Sequence, residues 1–133
     1  MRLTTFSEYA LIALMYLCRR RDAATIPLSE IVAERNLPAK YMERIMRELC
    51  RAGILVSIKG KAGGYRLAQP PDKITIARIV RLFDGPLAPT PSVSKYFYRE
   101  TPLEQEKKIH RLMKEIRDYI AKRLESLTLQ DML

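Results

Sequence analysis

The stretch over residues 28–67 constrains the fold more than any other part of this chain. It contains a short helical pattern (28–35), a turn, and a second helical pattern that begins at Pro38 and stops at Gly53. Two short runs of alternating polarity follow, joined by a glycine-rich turn at 59–64. This order predicts a helix, a turn, a second helix and a β-hairpin, an arrangement in which the second helix typically enters the major groove of DNA.

The second helix of this stretch has two different faces. Apolar side chains recur at helical spacing from Met42 to Leu49, and charged side chains fall on the other side. Pro38 suits the first turn, where its missing N–H would have no partner, and Gly53 suits the left-handed position after the last turn. The residues of this helix that we predict to contact DNA are Lys40, Tyr41, Glu43, Arg44, Arg47 and Arg51.

Position along this helix separates the predicted roles. Residues in the first half usually reach base edges, so Arg44 is predicted to pair with guanine. Glu43 either accepts a hydrogen bond from cytosine or steers Arg47, four residues further on, as an ion pair. Arg47 and Arg51 are better placed for phosphates. Tyr41 either donates to a phosphate or packs against the preceding helix.

The hairpin is predicted because the spacing of apolar residues changes after Gly53 from helical to alternating. Val56 and Ile58 alternate with polar residues, and so do Tyr65 and Leu67. The glycines of the turn allow positive φ and a close approach of the backbone. A basic tip of this kind can follow a phosphate backbone or enter a minor groove, although the hairpin alone fits an ordinary solvated surface equally well. The hairpin residues predicted to contact DNA are Lys59, Gly60, Lys61, Gly63, Gly64 and Tyr65.

The charge of the chain is concentrated in this same stretch. The 133 residues suffice for one domain with a modest core, and 24 basic against 15 acidic side chains give a net charge of +9. Residues 38–67 hold seven basic and two acidic side chains, a net of +5. This distribution favours nucleic acid as the partner. One histidine, two separated cysteines and no phosphate-binding glycine loop leave no catalytic constellation, so we predict no enzyme activity.

The first helix is predicted to begin at a capping box in residues 5–8 and to run to about Arg21. Its body is apolar almost all round, as expected for a helix packed between the DNA-reading unit and a further element. Arg2, Thr4 and Ser7 lie at the helix start, where free N–H groups and hydroxyls could hold a phosphate.

Cys18 and Cys50 have neither the number expected of a disulfide framework nor the spacing of a zinc site. We interpret both as buried, unreactive thiols. The alternative is that they are redox-active, since oxidation of either thiol could tilt the DNA-reading helix. The N-terminus lacks the features of a signal peptide, and the longest apolar run is too short to cross a bilayer. A cytoplasmic protein without membrane association is predicted.

The rest of the chain is predicted to form a linker and a long helix. A short helix capped by Thr75 closes the winged unit, and three prolines within residues 84–91 predict a semi-rigid connector. A second capping box (101–104) opens a helix predicted to run from Leu103 to about Ser126, roughly 35 Å at 1.5 Å per residue. Its apolar seam is predicted to be a homodimer interface, with burial under the chain's own helices as the alternative. The seam consists of Ile109, Leu112, Met113, Ile116, Ile120 and Leu124.

Several segments together resemble one known family. They are Met1-Arg2-Leu3-Thr4-Thr5, Tyr41-Met42-Glu43, Gly63-Gly64-Tyr65-Arg66-Leu67-Ala68, Asp84-Gly85-Pro86-Leu87 and Leu127-Thr128-Leu129. With them, the chain resembles the Rrf2 family of bacterial transcription regulators over nearly its whole length. The resemblance implies a mainly α-helical fold with a small β-hairpin. Its parts would be a winged helix-turn-helix domain (1–83), a linker or effector region (84–100) and a dimerisation helix (101–133).

The function implied by this resemblance is transcriptional regulation. We predict a homodimer that binds double-stranded DNA at a pseudo-palindromic operator and acts as a repressor. The alternatives are a protein-binding adaptor and a nonspecific DNA-binding protein that use the same winged unit.

One departure from the family bears on cofactors. Iron–sulfur members carry three cysteines between the linker and the long helix, the last commonly three residues before a histidine ligand. His110 matches the place of that histidine, but Lys107 stands three residues before it, and residues 92–109 contain no cysteine. One imidazole cannot replace the thiolates that a cluster needs. We therefore predict no cofactor and no bound metal, leave the effector open, and interpret His110 as a partly exposed helix residue. The alternative is another metal site shared with Glu106.

Overall fold

The chain forms five α-helices and one two-stranded hairpin, in a computed structural model that describes residues 1–133. Short 3₁₀ turns at Pro71–Lys73, Pro91–Val93, Pro102–Gln105 and Gln130–Met132 lie between or after them. The mainly helical fold with a small β-hairpin is therefore confirmed. The elements in chain order are α1 (Thr5–Arg19), α2 (Leu28–Arg35), α3 (Ala39–Arg51), β1 (Leu55–Ile58), β2 (Gly64–Leu67), α4 (Ile76–Asp84) and α5 (Lys107–Ser126).

Helix α3 has the bounds and the buried face that its sequence predicts. Its residues Met42, Ile45, Met46 and Leu49 are fully buried in a core that also takes in the apolar body of α1. Pro38 precedes the first turn, and Gly53 follows the last turn with φ +73°. The predicted limits differ by one residue at each end. Local signals sufficed because both ends depend on residues with special backbone geometry.

The hairpin pairs β1 with β2 in antiparallel register, with Ser57 opposite Tyr65. An isolated antiparallel bridge joins Ile26 to Tyr65 of β2. The Ile26 N–H donates to the Tyr65 carbonyl at 2.9 Å, and the Tyr65 N–H donates to the Ile26 carbonyl at 2.8 Å. Leu55, on the face of β1 shared with Ser57, is buried, whereas Ile58 on the other face is 39% exposed. The alternation of Val56 and Ile58 predicts the strand correctly but does not mark its core face.

Two helix starts differ from the predicted ones. Thr4, rather than Thr5, caps α1, because its hydroxyl accepts a hydrogen bond from the Ser7 N–H. Helix α5 begins at Lys107 instead of Leu103, because residues 102–105 form a 3₁₀ turn and the chain bends after it. The Thr101 hydroxyl donates to Ser92 at 2.8 Å and caps no helix. The helix therefore has 20 residues and spans about 30 Å.

The linker is docked on the helices that it connects. Leu87 is buried with Ala77 and Val80 of α4, and Ile120 and Leu124 of α5 pack on the same cluster. These contacts hold the N-terminal and C-terminal parts of the chain together through apolar packing.

The C-terminal segment returns to the winged unit. The Ile76 N–H donates to the Leu127 carbonyl at 2.9 Å, and the Leu129 N–H donates to the Ile74 carbonyl at 3.0 Å. Between these two bonds, Thr128 pairs with Thr75 in an antiparallel bridge. The side chain of Leu129 is fully buried in the same core as α1 and α3. Residues 101–133 therefore complete the core of the winged unit as well as forming α5.

Candidate DNA-binding surface

The outer face of α3 is exposed, and most of its charges have no ionic partner. Lys40, Glu43, Arg44 and Arg47 make no ion pair, whereas Arg51 pairs with Glu48 at 3.0 Å. The first turn of α3 carries no acidic side chain and no side-chain cap. Its free N–H groups and positive dipole end therefore add to the lysine and arginine charges. This face can accept phosphates and, through its arginines, base edges.

An aromatic cluster joins α1 to the start of α3. The guanidinium of Arg44 lies 4.9 Å from the centre of the Phe6 ring. The Tyr41 ring meets Phe6 edge-on at 5.5 Å and Tyr9 at 6.5 Å. The Tyr41 ring thus packs against aromatic side chains of α1, and its contact with a phosphate stays a prediction. An open depression of about 250 Å³ is lined by Phe6, Lys40, Tyr41 and Arg44. Sequence reasoning missed Phe6, because nothing near it in the chain marks an aromatic residue that faces α3.

The tip of the hairpin is basic and exposed at Lys59, Gly60 and Lys61. The two glycines that follow are only partly exposed and shape the hairpin. A Cβ at Gly63 would lie 2.3 Å from the Ile58 carbonyl oxygen, and a Cβ at Gly64 would lie 2.4 Å from the Ile26 carbonyl oxygen. Their lack of a side chain permits the tight turn and the close approach of Ile26, which accounts for both glycines without a contact to DNA.

Tyr65 lies at the joint between the hairpin and α3. It lines a cleft of about 270 Å³ together with Glu43, Arg47, Cys50 and Ser57. Burial raises the pKa of the Tyr65 hydroxyl, so the group stays protonated and can donate a hydrogen bond. Tyr65 is therefore placed beside Glu43 and Arg47 of α3.

The N-terminus of α1 does not offer the phosphate site that the sequence predicts. The carboxylate of Asp84 accepts hydrogen bonds from the Thr4 backbone N–H, the Thr4 hydroxyl and the Ser7 hydroxyl, the last at 2.6 Å. Ser7 is also fully buried. A phosphate would have to displace this carboxylate from the helix end that it already neutralises. The predicted phosphate contacts of Thr4 and Ser7 are therefore wrong, while Arg2 is exposed and its contact stays a prediction.

The two thiols lie in protected places. Cys18 is buried in α1, and Cys50 is half-buried in α3. Burial raises the pKa of both thiols. Because the thiolate is the reactive form, both environments lower reactivity towards oxidants.

The predicted dimer seam of α5 divides into two parts. Ile120 and Leu124 pack on the chain's own cluster around Leu87. Ile109, Leu112 and Ile116 are 46%, 49% and 37% exposed, and Met113 is half-buried. The covered part corresponds to the alternative of burial within the chain. The other part is an apolar stripe that stays open to solvent in the protomer.

A helix–turn–helix whose second helix, α3, has a basic exposed face, followed by a hairpin with a basic tip, defines a winged helix-turn-helix DNA-binding protein. The Rrf2 family model, described as "Iron-dependent Transcriptional regulator", matches residues 3–133. The chain belongs to the Rrf2 family and is a DNA-binding transcriptional regulator.

Individual relatives support this assignment. The chain is 32% identical over 132 residues to the HTH-type transcriptional regulator CymR of Bacillus subtilis, covering 99% of this chain and 89% of that protein. The solved structure of CymR, described as the global cysteine regulator of B. subtilis, matches with a TM-score of 0.80 and 31% identity over 99% and 95% of the two chains. The structure of IscR from T. potens shares the fold, with a TM-score of 0.70 and 24% identity over 99% and 85%. Regulation of transcription is a non-enzymatic role, in agreement with the predicted lack of enzyme activity.

The iron named in the family description does not fit the residues around His110. The Nε2 atom of His110 is enclosed and has no hydrogen-bond partner. No three side chains among His, Cys, Asp and Glu converge there or elsewhere in a way that could hold a metal ion. The two thiols lie in α1 and α3, within the winged unit, so none stands beside this imidazole to ligate a cluster.

None of the helices combines the length and the apolar character that crossing a membrane requires.

Proposed function

We propose that this protein is a homodimeric repressor that binds a pseudo-palindromic operator, acts in the cytoplasm and needs no iron–sulfur cluster. The observation that carries the proposal is a pair of open helix faces of opposite chemistry. The open face of α3 is cationic, and the open stripe of α5 is apolar. The first suits DNA, and the second suits another protein surface.

The α5 stripe supports the homodimer. Ile109, Leu112 and Ile116 are spaced by three and four residues, so they lie along one side of the helix. Apolar patches of this kind on a soluble domain usually mark an interaction site. A second copy supplies the same stripe, and a two-fold axis through the contact makes the interface self-complementary. The same axis would present two α3 helices to two half-sites, which explains the proposed symmetry of the operator.

The proposed contacts divide between recognition and positioning. Arg44 reads a base edge from the first half of α3, while Arg47 and the exposed lysines of the hairpin tip bind phosphates. Glu43 is free of an ion pair and can accept from cytosine. Repression is the proposed direction because a dimer bound over a promoter excludes polymerase without any further contact.

The experiment that tests DNA recognition is selection from a random duplex library. Aerobically purified full chain is incubated with the library, and bound DNA is sequenced and then titrated over a salt series. We expect a pseudo-palindrome whose half-sites are about 10 base pairs apart from centre to centre. Comparable affinity for every sequence would mean a nonspecific DNA-binding protein. Weak binding to all DNA, despite the charge of α3, would favour the adaptor.

Two further measurements address the finer parts of the proposal. Sedimentation at micromolar concentration should give a dimer. A monomer would overturn the proposal that the apolar stripe of α5 is a dimer interface. Transcription in vitro from a promoter that contains the selected site should fall as the protein is added, whereas a rise would make it an activator. Visible absorption of the purified protein typical of an iron–sulfur cluster would contradict the cofactor-free proposal.

A further inference from the structure

We infer that Phe6, in the first turn of α1, is a positioning residue that holds Arg44 in place to read a base. This inference rests on the proposed function, and it extends the reading surface beyond the helix–turn–helix. The observation that carries it is the placement of the Arg44 guanidinium 4.9 Å from the centre of the Phe6 ring.

The contact leaves the hydrogen-bonding groups of Arg44 free. A cation over an aromatic ring is attracted by the negative face of the ring, and a guanidinium placed this way keeps its N–H edge available for a planar acceptor pair. Arg44 makes no ion pair with an acidic side chain. Its side chain is thus held by the ring while its donors stay open to the O6 and N7 acceptors of guanine.

Holding Arg44 before DNA arrives matters because arginine has many rotamers. Ordering such a side chain on binding opposes association, and a pre-arranged side chain avoids most of that loss. Lys40, Tyr41 and Phe6 form the open depression beside Arg44. Tyr41 meets the Phe6 ring edge-on at 5.5 Å and restricts its position from the side of α3.

The turn that carries Phe6 is itself fixed. Thr4 and Ser7, on either side of it in the chain, both donate hydrogen bonds to the carboxylate of Asp84. Rotation of the turn would break these bonds, and it would also expose Ser7, which is fully buried. The aromatic ring is therefore presented to α3 from a rigid support, as a positioning residue requires.

A double-mutant cycle on operator binding tests the inference. The DNA probes are the duplex selected by the wild-type chain from a random library and its single-base-pair variants, and the proteins are wild type, Phe6→Leu, Phe6→Tyr, Arg44→Ala and the Phe6→Leu/Arg44→Ala double variant. We expect Phe6→Leu to weaken binding about threefold and to reduce discrimination only at the base pair that Arg44→Ala also affects. Phe6→Tyr should retain wild-type discrimination, because it keeps the aromatic face.

Several results separate positioning from a merely structural role. Phe6→Leu should have no effect in the Arg44→Ala background, and its salt dependence should equal that of wild type. Phe97→Leu makes the same substitution at an exposed phenylalanine away from α3, and should leave operator binding unchanged. Thermal unfolding checks that each variant is folded.

Equal losses for Phe6→Leu in both backgrounds, or failure of Phe6→Tyr to restore discrimination, would overturn the role of Phe6 while leaving the proposed function intact. A wild-type chain that selects no sequence would overturn the proposed function and this inference with it.

Discussion

Helices α3 and α5 each bury one side within the protomer and leave another side open, but the open sides differ in chemistry. On α3 the buried side contains Met42 and Leu49, and the open side is mainly cationic. On α5 the covered side packs on Leu87 of the linker, and the open stripe centred on Leu112 is apolar. The difference indicates which partner each surface accepts. Charges keep their hydration until they meet phosphates, whereas an apolar stripe gains by leaving water altogether.

The largest effect should come from placing a charge in the apolar stripe of α5. Leu112→Glu would put two carboxylates into the proposed two-fold interface, where desolvation and mutual repulsion cost several kcal/mol. We expect a monomer by sedimentation at concentrations where wild type is dimeric. Lys114→Gln makes the same change in net charge about 200° around the helix and should stay dimeric. Dimers of both variants would show that the stripe is not the interface.

The next effect concerns the residue that ties α5 to the core beneath α3. Leu129→Ala leaves a cavity in a fully buried position and should lower the free energy of unfolding by about 3 kcal/mol. Denaturant titration measures this loss. Met132→Ala, at a position that is 44% exposed, should change it by less than about 0.5 kcal/mol. Similar values for the two variants would mean that the C-terminal segment does not support the winged unit.

A smaller and more selective effect is expected on the open face of α3. Arg44→Ala should lower discrimination at one base pair by about 1.5 kcal/mol, or roughly tenfold, because a bidentate contact is lost. Arg51→Ala serves as the control, since Arg51 already pairs with Glu48 and lies in the last turn. It should weaken all sequences evenly. If the two variants had the same sequence profile, direct reading by Arg44 would be excluded.

The smallest effect is expected at the hairpin tip. Lys61→Ala should weaken binding to every sequence by a few-fold and lower the slope of log affinity against log salt by about 1, because one phosphate contact is lost. The exposed Lys108 on α5 provides a matched control for the loss of one positive charge. An unchanged slope in Lys61→Ala, equal to that of Lys108→Ala, would place the hairpin tip away from DNA.

The elements that sequence alone predicts well are those with local causes. Helix α3 combines an apolar period with Pro38 and Gly53 at its ends, and all three signals agree. The predicted start of α5 is wrong by four residues, because the Thr101 hydroxyl donates to Ser92 of the linker instead of capping a helix. The buried face of β1 cannot be predicted from the alternation of polar and apolar residues either. Alternation indicates a strand but does not say which side meets the core.

The candidate site follows the same division. The charged face of α3 and the basic hairpin tip can be predicted because helix and strand periods place their side chains. The occupation of the α1 N-terminus by a carboxylate cannot be predicted in this way. Asp84 lies 80 residues from Thr4 in the chain and reaches it only in the folded protein. The contact between Phe6 and Arg44 also joins separate elements, so no spacing in the sequence reveals it.

The burial of Leu129 among α1 and α3 has a consequence for the order of events during synthesis. Domains generally fold from the N-terminus as the chain emerges, but here the core of the DNA-binding unit lacks one of its buried side chains until residue 129 has been made. Helix α5 precedes that residue and has been synthesised by then. A DNA-binding unit with a completed core therefore always carries α5, the helix proposed to form the dimer, which limits the time in which an unpaired nascent α3 could occupy DNA.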